Sequence, residues 1–415
     1  MSGIVVVYDA GAAEPLEIRT GLTPLGRVVY ALPPSEHNDR VRPLLAEFGE
    51  VVPLDGPGAV ERVRRLRPDA VLTFSERRLR LASDLATELG LPGHDPDTAR
   101  ALTDKALQRA RLRAAGVDRL RTAPLTGPAD WPAAVAEVGL PAVLKPIRGE
   151  GSRDTHRILD AAAGAALVAD LHRRGATDFV LEQYLVGRDT HPDGDYVSVE
   201  SVVTRGRVRH VAVTGKYPQM EPFRERGQFW PARLDDGEAD RIARLAGRAL
   251  AALGVRTGVT HTEVKRTPDG PRVIEVNGRL GGLMNELSTR AGGPDLVRLA
   301  GRAALGEDPD VDWARPDGVF FQHYNPAPVR ACRLIAVHGV AELRAIPGIT
   351  GYRRLIQPGT DLPDSVMTRP LDLLTGRAAD HAAMLELVGE ARRALTFEFG
   401  TADGTVLVRS DRLDD

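Results

Sequence analysis

The sequence predicts an α/β protein in three parts: an N-terminal parallel sheet with crossover helices, an α+β central domain built on antiparallel hairpins, and a smaller C-terminal lobe. Three observations carry this expectation. Short apolar runs alternate with amphipathic stretches through residues 1–96, the pattern of βαβ units. Residues 196–215 and 259–277 each alternate with a period of two on either side of turn residues. After Gly306 the composition shifts to DPDVDWARPDG, a linker by its prolines and acids, before short strands resume. The expected boundaries are 1–96, then 97–306 with lobes of about 97–185 and 186–306, then 307–415.

In the first part the strands are Ile4–Tyr8, Val28–Leu32, Val51–Leu54 and Ala70–Phe74, with helices over Val41–Phe48 and Gly58–Leu66. Glu76 follows the last strand at its carboxyl end, where open α/β sheets bind ligands. The turn-rich LGLPGHDPDTA marks a boundary, and one long helix is expected from an Asp97 N-cap to Ala115, closed by Gly116. A helix over Pro132–Val138 and a strand Ala142–Lys145 lead to the loop IRGEGSRD. A strand near Thr155–Leu159, a helix Ala161–Arg174 and a strand Phe179–Gln183 follow. Tyr196–Thr204 and Arg207–Gly215 read as a hairpin about Arg205-Gly206. Lys216–Pro231 mixes aromatics, prolines and charges without a period and reads as a substrate-facing or mobile loop. Asp236–Leu253 is an amphipathic helix ending at Gly254, and His381–Leu395 is a late helix in the last part.

Composition excludes several classes. With 42% hydrophobic and 27% charged residues the 415-residue chain has the profile of a globular protein. A formal net charge of −2 gives no electrostatic case for nucleic acid or a membrane surface as partner. No apolar run approaches the roughly 18 residues of a membrane span, and MSGIVVVYDA reads as a buried strand rather than a signal peptide. A cytoplasmic location is therefore expected. Cys332 is the only cysteine, so no internal disulfide forms. Of 55 basic residues only Lys105, Lys145, Lys216 and Lys265 are lysine. A chain that fills surface positions with arginine keeps lysine where a compact ammonium on a mobile stem is needed.

The chemistry concentrates in GVTHTEVKRTPDGPRVIEVNGRLGG, residues 258–282. Val259–Arg266 and Arg272–Asn277 alternate around the turn residues Pro268, Asp269 and Gly270. In a hairpin centred on Asp269, facing positions have numbers summing to 538, so Glu263 opposes Glu275 and His261 opposes Asn277. Two facing carboxylates repel unless a cation lies between them. With the Asn277 amide they are hard oxygen donors suited to Mg2+ that shares phosphate as a ligand. A solvated strand face with arginine neighbours is the competing account. Arg279, in the Gly-containing turn that follows, can stabilise charge on a phosphoryl or acyl-phosphate group. Upstream, LPAVLKPIRGEGSRD delivers Lys145 from a strand into a loop with Gly149 and Gly151, whose N–H groups can face phosphate. FVLEQYLVG ends an apolar strand in Glu182, a candidate acceptor for an adenine amino group beside the backbone of Tyr184 and Leu185.

Taken in order, TDKALQRARLRAAGV, LPAVLKP with its Gly loop, LEQYLVG, SVESVV, HTEVK and IEVNGRLGG resemble the ATP-grasp superfamily across residues 70–305. Within it the SVESVV, GVTHTEV and EVNGRLGG segments are most similar to L-amino-acid ligases, and Val319 onward looks like their C-terminal lobe. The resemblance implies an ATP-grasp fold and an ADP-forming ligase that joins a carboxylate to an amine through an acyl phosphate. It implies small-molecule substrates, ATP and Mg2+, with two ions and Mn2+ as an alternative, and it allows a homodimer. By position it places Lys105, Lys145, Gly149, Gly151 and Ser152 at the phosphates, and Glu182, Tyr184 and Leu185 at adenine. Glu263, Glu275 and Asn277 would hold the metal, Arg279 the acyl phosphate, and Glu76 would lie near the amino-acid site. Two departures stand out. Asp189 matches the ribose-binding acid, but the inserted THPDGD brings Asp195 into competition with it. Related ligases often carry His where this chain has Gln228.

Rival readings are a carboxylase component on the same ATP site, a non-catalytic nucleotide-binding protein, which should lack the metal acids, and a dinucleotide oxidoreductase. The last lacks its Gly-x-Gly-x-x-Gly turn, since the first strand runs into YDAGAAEP.

Overall fold

The computed structural model describes residues 2–309, 311 and 316–413. Residues 310 and 312–315 of the expected linker lie outside the described residues. The N-terminal strands Ser2–Val7, Gly26–Leu32, Glu50–Pro53 and Ala70–Leu72 form one parallel sheet, ordered third, second, first, fourth. The first strand is apolar almost throughout because both faces of a parallel sheet are covered. Ile4 and Val6 join one core with Ile18 and Leu22, while Val5 and Val7 join another with Val63, Ala82 and Leu85. Beyond the last strand, Glu76–Arg78 form a single 3-10 turn that carries Glu76 towards the central domain.

The long helix expected over Asp97–Ala115 is two helices, Pro96–Leu102 and Lys105–Ala114. Asp95, not Asp97, caps the first by accepting from the Thr98 N–H. Asp104 caps the second by accepting from the Leu107 N–H. A short acid that captures a backbone donor in this way starts a helix rather than continuing one. The break makes Lys105 the first residue of the second helix.

A small antiparallel sheet of Thr122–Leu125, Phe179–Gln183, Ala142–Pro146 and His156–Ile158 follows, backed by the helices Trp131–Val138 and Ala161–Arg173. Opposite it lies an eight-stranded antiparallel sheet. Its order is Gly270–Asn277, Gly258–Thr267, Tyr196–Thr204, Arg207–Lys216, Gly227–Trp230, Val319–His323, Asp372–Ala378, Ile349–Arg354. Tyr196–Thr204 is buried at every position. Val197, Val199 and Val203 pack with Ile242 and Leu245 of the helix Asp236–Leu253, while Val202 faces the core that holds Leu299 and Ala303. The hairpin turn at Arg205-Gly206 is left-handed at both residues, φ 51° and 79°, as a two-residue turn between twisted strands requires.

The segment expected as a substrate-facing or mobile loop from Lys216 to Pro231 contains the strand Gly227–Trp230, which pairs with Val319–His323. Strands from residues 319–378 thus continue the central sheet. A second four-stranded sheet, Asp361–Leu362, Cys332–His338, Thr396–Thr401 and Gly404–Arg409, and the helix His381–Ala394 complete the C-terminal part.

Candidate active site

A cavity of about 530 Å3 opens between the small sheet and the eight-stranded sheet. Its wall includes Lys105, Lys145, Gly149, Gly151, Ser152, Glu182, Tyr184, Leu185, Glu263, Glu275, Asn277 and Arg279. Residues far apart in sequence, from the start of one helix to the turn after a distant hairpin, therefore meet at one place.

The hairpin supplies the acids. Its register pairs His261 with Asn277 and Glu263 with Glu275, as facing positions summing to 538 require. The turn itself obeys a different register: Thr267 pairs with Gly270 and Val264 with Val273. A bulge at Ile274 absorbs the difference, and Arg109 from the helix Lys105–Ala114 donates to the carbonyls of Val273, at 2.8 Å, and Ile274. Gly270–Asn277 is an edge strand, and the buried Gln108 amide completes its ladder, donating to the Val276 carbonyl at 2.9 Å and accepting from the Val276 N–H at 2.8 Å.

Each acid has a cationic partner. Lys105 Nζ lies 3.1 Å from Glu275 and donates to the Gly149 carbonyl at 2.9 Å. Burial works against the Lys105 ammonium, yet Glu275 raises its pKa above the ordinary value. Burial likewise opposes the Glu275 carboxylate, and Lys105 and Lys145 lower its pKa overall. Glu263 lies 3.5 Å from His261 Nε2, whose Nδ1 is 2.6 Å from the buried Glu200. The Asn277 carbonyl oxygen is 3.4 Å from Arg279. Among the described residues no three His, Cys, Asp or Glu side chains gather as a metal cage. The donor set is therefore two facing carboxylates and an amide oxygen. That set fits Mg2+ that completes its shell with water and phosphate oxygens, as this ion commonly does.

Glu182 is committed more tightly than expected. Both its oxygens meet Arg109, at 3.0 and 3.1 Å, and Lys145 Nζ lies 2.9 Å away. Burial would push its pKa up, but the two cations hold it down at about 2. For Lys145, burial prevails over Glu182 and lowers the ammonium pKa. Both side chains face the cavity because Val143, two residues before Lys145, pairs directly with Glu182.

Two expected residues lie off the cavity wall. Glu76 sits behind it, 3.1 Å from Arg279 Nε. Burial lifts its carboxyl to about 7, against the pull of Arg279. Asp189 is exposed and accepts from the His191 N–H within its own loop, at 3.0 Å. The inserted residues fold it into that turn and away from the site. Asp195 instead pairs at 2.6 Å with Lys265, which does line the cavity. A Cβ on Gly187, two residues before Asp189, would fall 1.8 Å from the Asp195 carboxylate, so only glycine allows this approach.

Sequence reasoning missed Arg109, which ties Glu182 to the hairpin. The signal was a polar stripe, Lys105, Gln108 and Arg109, on the same helix face as the apolar Leu112. It singled out Lys216 among the four lysines but assigned it no partner. Lys216 is buried against the cavity, donates to Gln228 at 2.9 Å and lies 3.8 Å from Glu225. Gln228 in turn donates to the Gly282 carbonyl at 3.0 Å and to Gln322 at 2.9 Å, so it fixes the turn after Arg279.

Known proteins share this architecture. Residues 138–286 match the ATP-grasp domain family. The alanine–anticapsin ligase of Bacillus subtilis is 26% identical over 380 residues, 85% of this chain and 75% of that protein. An uncharacterized protein of Sinorhizobium fredii is 31% identical over 292 residues, 67% of this chain, and the match spans only 57% of that relative's length. The crystal structure of an L-amino acid ligase from Bacillus licheniformis superposes with a TM-score of 0.78 at 20% identity, covering 99% of both chains. The chain has the ATP-grasp fold, with that family's domain over residues 138–286, and it is similar to the alanine–anticapsin and L-amino acid ligases. No helix among the described residues is long and apolar enough to cross a membrane.

Proposed function

We propose that the chain is an ATP-dependent carboxylate–amine ligase that forms an amide or peptide bond through an acyl phosphate, with an amino acid as one substrate. The observation that carries this is the convergence on one cavity of Lys105, Lys145 and Lys216 with the facing acids Glu263 and Glu275, Asn277 and Arg279. Phosphate needs cations, a phosphate-bound Mg2+ needs oxygen donors, and a developing acyl phosphate needs a further positive group.

The lysines neutralise the phosphate chain of ATP, and the N–H groups of Gly149–Ser152 cover it. The adenine lies against the backbone of Tyr184 and Leu185. Glu182, held by Arg109 and Lys145, fixes the strand Phe179–Gln183 and keeps one lone pair, on Oε1, for the adenine amino group. Lys265, oriented by Asp195, stands nearer the cavity than Asp189 and is the better candidate to reach the ribose side. Glu263, Glu275 and Asn277 hold Mg2+, which supplies charge neutralisation of the phosphate oxygens; a second ion is part of the proposal. The substrate carboxylate attacks the γ-phosphorus and ADP leaves. Arg279, held in place by Glu76, faces the charge of the acyl phosphate and of the tetrahedral adduct. The amine attacks the acyl carbon and phosphate departs with the bonding pair. The three-part division at 96/97 and 306/307, a cytoplasmic location and a homodimer belong to the same proposal.

The reaction predicts amine-dependent release of ADP and phosphate from ATP across a screen of amino acids and small amines. Release of AMP and pyrophosphate, or dependence on bicarbonate with no amine, would overturn the reading.

A further inference from the structure

The loop that covers the phosphate side of the cavity is fastened to the C-terminal part of the chain. Gly149 and Gly151 give it φ values of 151° and 66°, and Ser152 and Asp154 are also left-handed, at 54° and 49°. Such a backbone has few contacts of its own to hold it. Its outer anchors are two backbone hydrogen bonds to the strap Val366–Thr368: Asp154 N–H to the Val366 carbonyl, and Thr368 N–H to the Gly151 carbonyl, both 2.8 Å. A third anchor, the pair Arg77–Glu150 at 3.1 Å, comes from the N-terminal part.

The strap itself is rigidly held. The Ser365 N–H donates to the Val329 carbonyl, that of Leu371 to Asn325, and that of Ala327 to Arg369, at 2.8–2.9 Å. Thr368 also has a second partner. Its hydroxyl accepts from the Glu225 N–H at 2.9 Å. Glu225 lies in the segment before Gly227–Trp230, and its carboxylate receives the hydroxyls of Tyr324 at 3.0 Å and Tyr196 at 3.4 Å. Gly151, Glu225 and Thr368 all line the cavity. One residue thus touches the phosphate loop with its backbone and the opposite wall with its side chain.

We propose that Thr368 is a positioning residue that couples closure of the phosphate loop to order in the Glu225 segment, so that water is excluded from the acyl phosphate while the amine side of the cavity is assembled. This rests on the ligase reading above. With the coupling broken, water competes with the amine: its oxygen bonds to the acyl carbon, the bond from that carbon to the phosphate oxygen breaks, and the free carboxylate and phosphate are released. ATP is then consumed without amide.

The test measures amide formed per phosphate released for wild type, Thr368→Ser and Thr368→Val. Valine keeps the shape and the backbone donor but leaves the Glu225 N–H without its acceptor. The ratio is expected to fall by roughly tenfold in Thr368→Val, the scale of one hydrogen bond lost to a part-buried donor, and to be restored by serine. The KM for ATP should change little. An unchanged ratio with only a lower melting temperature overturns the proposal, since that is what a merely structural role predicts. A ratio lost equally in the serine variant also overturns it. Trapping with hydroxylamine separates the two levels. Hydroxamate from wild type shows that the acyl phosphate forms, so that a flat ratio then speaks against Thr368 alone. Its absence, with no amine-dependent phosphate, removes the ligase reading and this inference together.

Discussion

The hairpin of residues 258–277 and the segment of residues 216–231 both line the same cavity, yet only the first showed its strands in the sequence. The hairpin is local. Its two strands lie a turn apart and alternate cleanly, and only the bulge at Ile274 is needed to bring Glu263 opposite Glu275. The segment from Lys216 to Trp230 has no such self-consistency. Its strand pairs with only two residues of Arg207–Lys216 and takes the rest of its ladder from Val319–His323, about ninety positions later. A short stretch whose hydrogen-bond partner is remote carries little periodic signal, because the remote strand and not the local sequence fixes its face. In this protein the locally encoded element brings the acids, and the remotely encoded element brings Glu225 and Gln228.

That contrast can be tested by substitution. The largest effect belongs to the hairpin. Glu275→Gln keeps the shape and removes a carboxylate facing Glu263, and turnover should fall by roughly 10³-fold with the fold intact by circular dichroism. Arg279→Ala should do the same, and wild-type rates in either variant would sink the residue assignments. Next is the bridge from the helix to the hairpin. Arg109→Met leaves Glu182 beside Lys145 alone and two bulge carbonyls unpaired, so denaturant unfolding should show a loss of about 3–5 kcal/mol together with a higher KM for ATP.

A smaller effect concerns the acid behind Arg279. Burial raises the Glu76 carboxyl to about 7, above its ordinary 4.5. The folded state therefore binds the proton more tightly than the unfolded one. Its contribution to stability is fully present below about pH 4.5 and is lost as the pH rises through 7. Glu76→Gln should remove roughly 2–3 kcal/mol of that pH dependence, read from melting temperatures at pH 5 and pH 8. The smallest effect tests the remotely encoded wall. Gln228→Leu breaks the link from Lys216 to the Gly282 carbonyl and should lower kcat about tenfold with little change in the KM for ATP. A loss as large as that of Glu275→Gln would mean that both walls carry the chemistry equally.

By itself the sequence determined the parallel N-terminal sheet, the limits of the helix Asp236–Leu253 and the two hairpins. In each case the partner is near in sequence and the pattern repeats, so local sterics and burial give one answer. It also carried the order of motifs that points to ATP. Tertiary structure decided the rest. The break at Asp104 is the local exception, since its side chain caps the Leu107 N–H three residues on. The register at the turn was misread, and the Ile274 bulge that corrects it is held by Arg109, over 160 positions away. Asp189 looked like a ribose ligand until the inserted loop folded it outwards. The engagement of Glu182 by Arg109 and Lys145, the burial that lifts Glu76, and the fastening of Gly151 to Thr368 all join residues from distant elements. Charge pairing and desolvation arise only when such elements close on one another, and no spacing along the chain records them.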